Sequence, residues 1–203
     1  FFGDPDSSFV QLHGKEISYN NLLDIESAIS LIDEFDDLSC AIIKHNNACG
    51  VASRPELKEA WEAALACDPL SAFGGVVIVN REVDEIAAAE IDKIFLEVVI
   101  APSFTPGAVK ILSSKKNRII LQRRSSGNNR ESFRSMLGGV LWQERDSSTE
   151  QASDMRPVTT RQPSEEEYAD MVFANKIVKH SRSNAIVLAK SRQLCASGIG
   201  QTS

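Results

Sequence analysis

The stretch Cys40-Ala41-Ile42-Ile43-Lys44-His45-Asn46-Asn47-Ala48-Cys49-Gly50 joins an apolar run to a polar loop. The apolar residues at its start predict a short buried strand. Ser53 and Glu56 follow with the spacing of a helix N-terminal capping box. We therefore predict a strand, a polar loop and the start of a helix. Ligands of open α/β sheets collect at the carboxyl ends of strands, which is where Lys44 and His45 would lie.

The adjacent Lys44 and His45 are the residues of this loop whose side chains could take part in a reaction. A histidine side chain can accept a proton at physiological pH, because its free pKa lies near neutrality. A neighbouring lysine brings a positive charge that can stabilise an oxyanion or bind an anion. The dipeptide alone leaves a second interpretation open, in which Lys44 is solvated and His45 is a capped loop residue.

The composition is that of an ordinary soluble globular protein, with 203 residues, 42% hydrophobic and 25% charged. The formal net charge of −6 gives no basic footprint for nucleic acid, although a local basic cluster could still bind a phosphorylated ligand. No apolar run has the length of a transmembrane helix, and the start of the chain has no signal-peptide pattern. The length allows one large domain, or one domain and part of another.

The four cysteines, Cys40, Cys49, Cys67 and Cys195, show neither C-x-x-C spacing nor a zinc-ligand pattern with histidine. We therefore expect reduced thiols, a cytoplasmic location and no catalytic metal. Both ends of the chain suggest a piece of a longer protein, because Phe1 stands where a start residue is expected and residues 198–203 stop within a turn.

Short apolar runs alternate with segments of helical periodicity, which predicts an α/β fold with a mainly parallel sheet and helices on its faces. Strands are predicted at 40–43, 76–79, 98–101, 119–121 and 185–189. Helices are predicted at 21–35, 54–67, 84–95 and 165–179. The last helix should begin at a capping box, Ser164 to Glu167, and should bury Tyr168, Met171, Val172, Asn175 and Val178. The pattern breaks near residue 122, and residues 136–142 predict one apolar strand in a connecting subdomain.

Five segments carry unusual residue combinations. They are Lys44-His45-Asn46-Asn47-Ala48-Cys49-Gly50, Asp68-Pro69-Leu70-Ser71-Ala72-Phe73-Gly74-Gly75, Glu97 to Pro102 with Lys115 to Asn117, Lys179 to Ala185, and Gly198 to Ser203. Their order and residues resemble the AICAR transformylase domain of the AICAR transformylase/IMP cyclohydrolase family. The family motifs concerned are Lys-His-x-Asn-Pro-Cys-Gly, Asp-Pro-x-Ser-Ala-Phe-Gly-Gly, Lys-x-x-x-Ser-Asn and Gly-x-Gly-Gln-x-Ser-Arg. The resemblance spans nearly the whole chain.

The resemblance implies a cytidine-deaminase-like layered α/β sheet. Residues 1–121 would form the first lobe of the transformylase, 122–163 a small connecting subdomain, and 164–203 the start of a second lobe. The cyclohydrolase domain lies upstream in that family, and the rest of the second lobe would lie downstream. We therefore expect a polypeptide that stops at Ser203 to be inactive by itself. Ala48 stands where the family usually has proline, which bears on the rigidity of the loop.

The activity implied is formyl transfer from the co-substrate 10-formyltetrahydrofolate to the 5-amino group of AICAR, giving FAICAR in IMP biosynthesis. His45 matches the family's proton acceptor. Lys44 matches the group that stabilises the oxyanion or protonates the departing folate nitrogen. Gly74 matches a close backbone approach to the nucleotide, Glu97 an acidic ligand contact, and Asn184 a polar anchor near the same centre.

The partners implied are the small molecules AICAR and folate, and a second copy in a homodimer with its active site near the subunit interface. Neither a nucleic acid nor a membrane is expected as a partner. His13 is interpreted as a surface residue and His180 as a loop residue. Because no H-x-E or C-x-x-C pair occurs, zinc-dependent deamination is disfavoured. Two rival functions stay open: a zinc-free deaminase-like enzyme for another nucleotide, and a non-catalytic module for nucleotide binding or dimerisation.

Overall fold

A computed structural model describes residues 8–124 and 131–202. The strands in these ranges are β1 (Phe9–His13), β2 (Ser39–Lys44), β3 (Asn47–Ser53), β4 (Val76–Val79), β5 (Val98–Ala101), β6 (Ile119–Arg123), β7 (Glu131–Met136), β8 (Gly139–Glu144), β9 (Ile186–Lys190) and β10 (Gln193–Gly198). Eight of them form one sheet in the order β1-β6-β5-β4-β2-β3-β10-β9, and β7 and β8 form a separate hairpin.

The helices in the same ranges are α1 (Tyr19–Ile32), α2 (Leu57–Cys67), α3 (Pro69–Ala72), α4 (Glu85–Ile91), α5 (Pro106–Leu112) and α6 (Glu165–Lys179), with a 3₁₀ turn at Ala152–Asp154. Side chains cap several of them. Ser18 and Asn21 form a capping box at α1, and Ser164 and Glu167 form the predicted one at α6. None of these helices has the length and apolar character that crossing a membrane requires.

The sheet is mixed rather than mainly parallel. Its parallel part is limited to β4, β5 and β6, and every other neighbouring pair of strands is antiparallel. Strand–helix alternation indicates parallel neighbours only for strands that are joined by a helical crossover, as β4, β5 and β6 are. The prediction extended this rule to the whole sheet. Tight turns join β2 to β3 and β9 to β10, and such turns can only produce antiparallel neighbours.

The predicted strand, loop and helix start at residues 40–56 proved to be a β-hairpin. Residues 47–53 form β3, which pairs with β2 along its whole length. The predicted capping box of Ser53 and Glu56 is therefore wrong. The hydroxyl of Ser53 lies 2.7 Å from that of Ser39 on the neighbouring strand. Helix α2 begins only at Leu57, and its N-cap Glu56 makes no side-chain capping bond.

Helices cover both faces of the sheet and divide the core into two layers. On one face, α2, α4 and α5 pack against side chains such as Ile42, Val77 and Val99. On the other, α1 and α6 pack against alternate residues such as Ile43, Ile78 and Ile100. The strands β4 and β5 are buried at every position, because both of their faces are covered. This explains why they were predicted as unbroken apolar runs.

Two finer predictions were wrong. The apolar run at 136–142 is the turn of the β7–β8 hairpin and not one strand, because Leu137 and Gly138 adopt positive φ angles of 52° and 76° and reverse the chain. The buried face of α6 consists of Phe173 and Ile177. Phe173 packs on Phe35 with ring centroids 5.3 Å apart. A contact with a distant segment therefore decides which side of α6 is buried. The cytidine-deaminase-like layering and the domain boundaries stay predictions.

One glycine sets how closely a helix can approach the sheet. A Cβ atom built on Gly50 in β3 would lie 2.1 Å from the backbone carbonyl oxygen of Ala64 in α2. Backbone atoms of a packed helix cannot move aside as a flexible side chain can. Trp61, Ala60 and Ala64 of α2 are all fully buried, so a shift of this helix would disturb the core.

We predict that Gly50→Ala lowers the free energy of unfolding by about 2–3 kcal/mol, as expected for overpacking of a tightly packed interior. Gly139→Ala is the control, because a Cβ at Gly139 would meet only Met136 O at an ordinary 3.7 Å. Urea unfolding of both variants measures the difference. Equal stabilities for the two variants would contradict this account of Gly50.

A half-buried ion pair joins the end of α1 to α6. Glu34 Oε1 accepts from Lys179 Nζ at 2.8 Å and lies 2.9 Å from His180 Nε2. Partial burial by itself would raise the pKa of Glu34, but the hydrogen bonds from Lys179 and His180 outweigh it and hold this pKa below 4.5. The carboxylate is therefore bound better in the folded chain than in the unfolded chain.

Because the folded-state pKa of Glu34 is depressed, its stabilisation should be complete above the unfolded value of 4.5 and lost as the pH falls through the folded value. We predict that Glu34→Gln costs about 2 kcal/mol near neutral pH, and that its difference from wild type shrinks in acid. Glu26→Gln is the control, since Glu26 lies on α1 and forms an ion pair with Arg145 in which both side chains are exposed. Unfolding curves at several pH values measure both. A loss for Glu34→Gln that is independent of pH would refute the ion-pair explanation.

Candidate functional site

Lys44 and His45 lie at the tip of the β2–β3 hairpin. Lys44 pairs with Asn47, and the two residues between them have positive φ angles, 52° at His45 and 64° at Asn46. These are the angles of a two-residue type I′ turn, whose twist matches that of the strands it joins. Asparagine adopts this conformation readily, whereas histidine does so less often. The turn leaves the His45 side chain exposed and Lys44 half-buried.

The turn is fastened to α1 by hydrogen bonds. The backbone N–H of Asn46 donates to Asp24 Oδ1 at 2.6 Å, and Asn47 Nδ2 donates to the carbonyl of His45 at 2.9 Å. With its amide nitrogen turned toward α1, the Asn46 side chain also donates to Leu23 O and to Asp24. These contacts hold the backbone of His45 in its left-handed conformation, as strained residues at functional sites require.

The segment from Asp68 to Gly75 positions Lys44. Asp68 caps the short helix α3 by accepting from the Ser71 N–H at 2.9 Å, and Phe73 is the C-cap of α3. The carbonyl of Phe73 then accepts from Lys44 Nζ. Gly74 follows with φ +73°, and a Cβ built on it would lie 3.9 Å from Lys44 Nζ. The predicted site residues Lys44 and Gly74 are therefore neighbours.

Glu97 reaches the same edge of the sheet from the segment before β5. Its backbone N–H donates to Gly75 O at 3.0 Å, and the N–H of Gly74 donates to Phe95 O at 2.8 Å. The rings of Phe73 and Phe95 pack 5.4 Å apart, and both are largely exposed. Glu97 thus lies beside the Gly74–Gly75 segment, with its carboxylate partly exposed.

Asn184 lies in the loop between α6 and β9. Its backbone pairs with Gln201, at 3.4 Å and 3.1 Å for the two hydrogen bonds. Its side chain makes no hydrogen bond to Lys44, His45, Gly74 or Glu97 within the described parts of the chain. The same loop does approach the hairpin tip, because Arg182 Nη2 lies 3.3 Å from the Asn46 amide oxygen in the orientation described above.

The edge that holds this site differs from the predicted one. Lys44 is at the carboxyl end of β2, but β2 runs antiparallel to β4, and Ile43 pairs with Val76 at the start of β4. The parallel strands β4, β5 and β6 therefore present their amino ends at this edge. Gly74 and Glu97 accordingly precede their strands, and the rule for carboxyl ends of parallel sheets does not apply here.

A cleft of about 700 Å³ opens beside the hairpin tip, between it, α3 and β10. Lys44, His45, Asp68 and Ser71 line it, together with Cys49, Cys67 and Cys195. Hydrogen bonds from Ser71 lower the pKa of Asp68, so its carboxylate is charged beside Lys44. The cleft thus presents a cation, an anion and an exposed imidazole to a small molecule.

Two of the three thiols that line this cleft are poor nucleophiles. Burial raises the pKa of Cys49 to about 12, and the negative charge of Asp68 adds to the effect. Burial also raises the pKa of Cys67. Since the thiolate is the reactive form, these cysteines stay protonated and unreactive at neutral pH. Among the residues that the structure describes, no three His, Cys, Asp or Glu side chains are grouped so that they could hold a metal ion.

Several contacts of the site gave no recognisable signal in the sequence. Asp24 and Asn21 looked like ordinary polar positions of a predicted helix, yet Asp24 holds the hairpin turn and Asn21 contacts Glu97. Lys15 lay in a turn-rich segment without a motif, and its Nζ lies 3.4 Å from Glu97. Only the packing of α1 against the sheet brings Asp24 and Asn21 to the site.

Comparison with known proteins identifies the family. The family model described as AICARFT/IMPCHase bienzyme matches residues 4–203. The chain is 59% identical over its whole length to the bifunctional purine biosynthesis protein PurH of Bacteroides thetaiotaomicron, covering 40% of that protein. It is 46% identical over 95% of its length to PurH of Acetivibrio thermocellus and 48% identical over its whole length to PurH of Chloroflexus aurantiacus, covering 38% and 40% of them.

The chain thus spans about two fifths of the length of these relatives. The match is nevertheless continuous across nearly every residue of the chain, including the Lys44-His45 hairpin and the Asp68–Gly75 segment. The chain belongs to the AICARFT/IMPCHase bienzyme family.

Proposed function

We propose that the polypeptide containing this chain transfers the formyl group of 10-formyltetrahydrofolate to the 5-amino group of AICAR. Membership of a family of bifunctional purine biosynthesis enzymes supports this activity. The observation that carries the proposal is the pairing of an exposed His45 with Lys44 on one strained, hydrogen-bonded turn, beside Gly74. Such a turn presents a base and a cation in fixed positions, which general acid–base catalysis requires.

The chemical difficulty of the reaction explains why both groups are needed. The 5-amino group of AICAR is a poor nucleophile, because its lone pair is delocalised into the imidazole carboxamide. His45 takes a proton from this amine as the amine nitrogen attacks the formyl carbon. Negative charge develops on the formyl oxygen, and the bond from the formyl carbon to the folate nitrogen then breaks. Lys44 stabilises that charge or supplies the proton that the departing folate nitrogen needs.

Binding residues surround this pair in the proposal. The backbone at Gly74 lies close to the nucleotide, Glu97 accepts a hydrogen bond from it, and Asn184 anchors it from the loop before β9. The neighbouring contact of Lys44 Nζ with the Phe73 carbonyl keeps the ammonium group at the edge of the cleft. The raised pKa values of the partly buried Cys49 and Cys67 keep both thiols protonated, so neither competes with His45 as the base.

The proposal extends to the setting of the reaction. FAICAR formed here is a precursor of IMP, and the reaction takes place in the cytoplasm without a catalytic metal. The fold is proposed to be cytidine-deaminase-like, and the active protein is a homodimer with its site near the subunit interface. A formyl-transfer assay on the intact polypeptide, with 10-formyltetrahydrofolate and AICAR, tests the activity. Nucleotide binding without any transfer would favour a non-catalytic binding module instead.

We predict that His45→Ala lowers kcat for formyl transfer by about 10²–10⁴-fold, the usual contribution of a general base, and changes AICAR binding little. The control is His13→Gln, which changes a histidine at the end of β1 and should keep near wild-type turnover. Steady-state kinetics with both substrates measures the effect. If His45→Ala raised only KM, His45 would be a binding residue and not the base.

We predict that Lys44→Ala also lowers turnover, and that the double variant with His45→Ala loses less than the product of the two single losses. Both side chains act on the same proton transfer and developing charge, so their effects should be coupled. Lys44→Arg should not restore activity, because the guanidinium is larger, planar and a very weak acid. The same kinetics measure all three variants, and fully multiplicative losses would show that the two residues act independently.

A further inference from the structure

Asn21 is a buried polar residue whose amide is held in one orientation. It lies in the first turn of α1 and is only 6% exposed. Its Oδ1 accepts from the hydroxyl of Ser18 at 2.8 Å and from the backbone N–H of Ser18 at 3.3 Å. Because two donors face Oδ1, the amide nitrogen must point the other way. There, Nδ2 donates to Glu97 Oε2 at 2.9 Å.

Lys15 and Asn21 both contact the same oxygen of the Glu97 carboxylate. Lys15 Nζ lies 3.4 Å from Oε2, the oxygen that also accepts from Asn21. Within residues 8–124 and 131–202 no hydrogen bond is made to Oε1. The carboxylate is thus anchored through one oxygen and keeps the acceptor capacity of the other, while its charge is partly balanced by Lys15.

We propose that Asn21 is a positioning residue which, with Lys15, fixes Glu97 so that Oε1 accepts a hydrogen bond from a neutral donor of the substrate. This inference rests on the proposed function, in which Glu97 contacts the nucleotide. A carboxylate held in this way favours hydroxyl or amino groups and repels a phosphate.

The chain offers a substitution that separates this role from the structural role of Asn21. Asn21→Asp keeps an oxygen to accept from Ser18 and therefore keeps the capping box of α1, where an added negative charge is also favourable. It removes the N–H donor to Glu97 and sets two carboxylates against each other. Asn20→Asp is the control, because Asn20 is exposed, lies in the same first turn and receives the same charge.

We predict that Asn21→Asp in the intact polypeptide weakens AICAR binding about tenfold, since a hydrogen bond to a charged group is lost. The like charges of positions 21 and 97 lower the melting temperature, but the protein stays folded at the temperature of the titration. Asn20→Asp should bind AICAR as wild type does. In a Glu97→Gln background, Asn21→Asp should cost little more, because the introduced amide at position 97 can donate to the introduced carboxylate at position 21. Calorimetric titration with AICAR measures binding, and kinetics should show the loss in KM rather than in kcat.

Each outcome of this experiment decides something. A loss in Asn21→Asp that is equally large in the Glu97→Gln background, that accompanies unfolding at the temperature of the titration, or that Asn20→Asp shares would overturn the positioning role. Normal AICAR binding by Asn21→Asp would overturn it as well. In each of these cases, a wild-type protein that still binds AICAR and transfers the formyl group leaves the proposed function intact. Failure of the wild-type protein to bind AICAR at all would instead reject the proposed function, and the inference with it.

Discussion

The position of β2 between two antiparallel neighbours is the constraint on which the rest of this structure depends. β2 pairs with β3 through a two-residue turn and with β4 through its other edge. The turn requires left-handed backbone angles at His45 and Asn46, which for a residue other than glycine costs about 1–2 kcal/mol. Because β4 is buried throughout and β2 is buried from Ser39 to Ile43, the core supplies the stability that holds this turn in place.

Helix α1 links the two sides of the site to that core. One face of it is buried against the sheet through Ile25, Ala28 and Leu31. From the same helix, Asp24 binds the hairpin turn and Asn21 binds Glu97. The relative position of the imidazole and the carboxylate is thus set by the packing of one helix, and Glu34 at its end is tied to α6. Preorganisation of this kind allows a site to act without rearranging its polar groups.

A buried charge supports the same edge of the sheet. Arg118, just before β6, is fully buried and donates to Asp92 at 2.5 Å and to the carbonyls of Leu112 and Ile94 at 3.2 Å. Asp92 is the C-cap of α4 and Leu112 is the last residue of α5. One guanidinium therefore binds the carboxyl ends of two helices beside the amino end of β6. The backbone carbonyl of Glu97 accepts a hydrogen bond from the N–H of Ile119, the residue after Arg118.

The sequence by itself determined some of the local elements and the family. Unbroken apolar runs predicted β4 and β5 with their correct bounds, since strands covered on both faces have no polar side, and Ser164 with Glu167 predicted the start of α6. The five motifs predicted the family, which the comparisons confirm. Of the proposed site residues, Lys44 and Gly74 stand in motifs that are short and continuous along the chain, and they lie close together in the structure.

Only the tertiary structure decided how these elements pair and what surrounds the site. Periodicity describes one segment at a time, so it could not show that residues 47–53 would form a strand beside β2, nor that the site lies at the amino ends of β4, β5 and β6. It also could not show the contact between Asn21 and Glu97, which are 76 positions apart and meet only after α1 packs on the sheet. Long-range contacts depend on the whole packed core, and no local pattern records them.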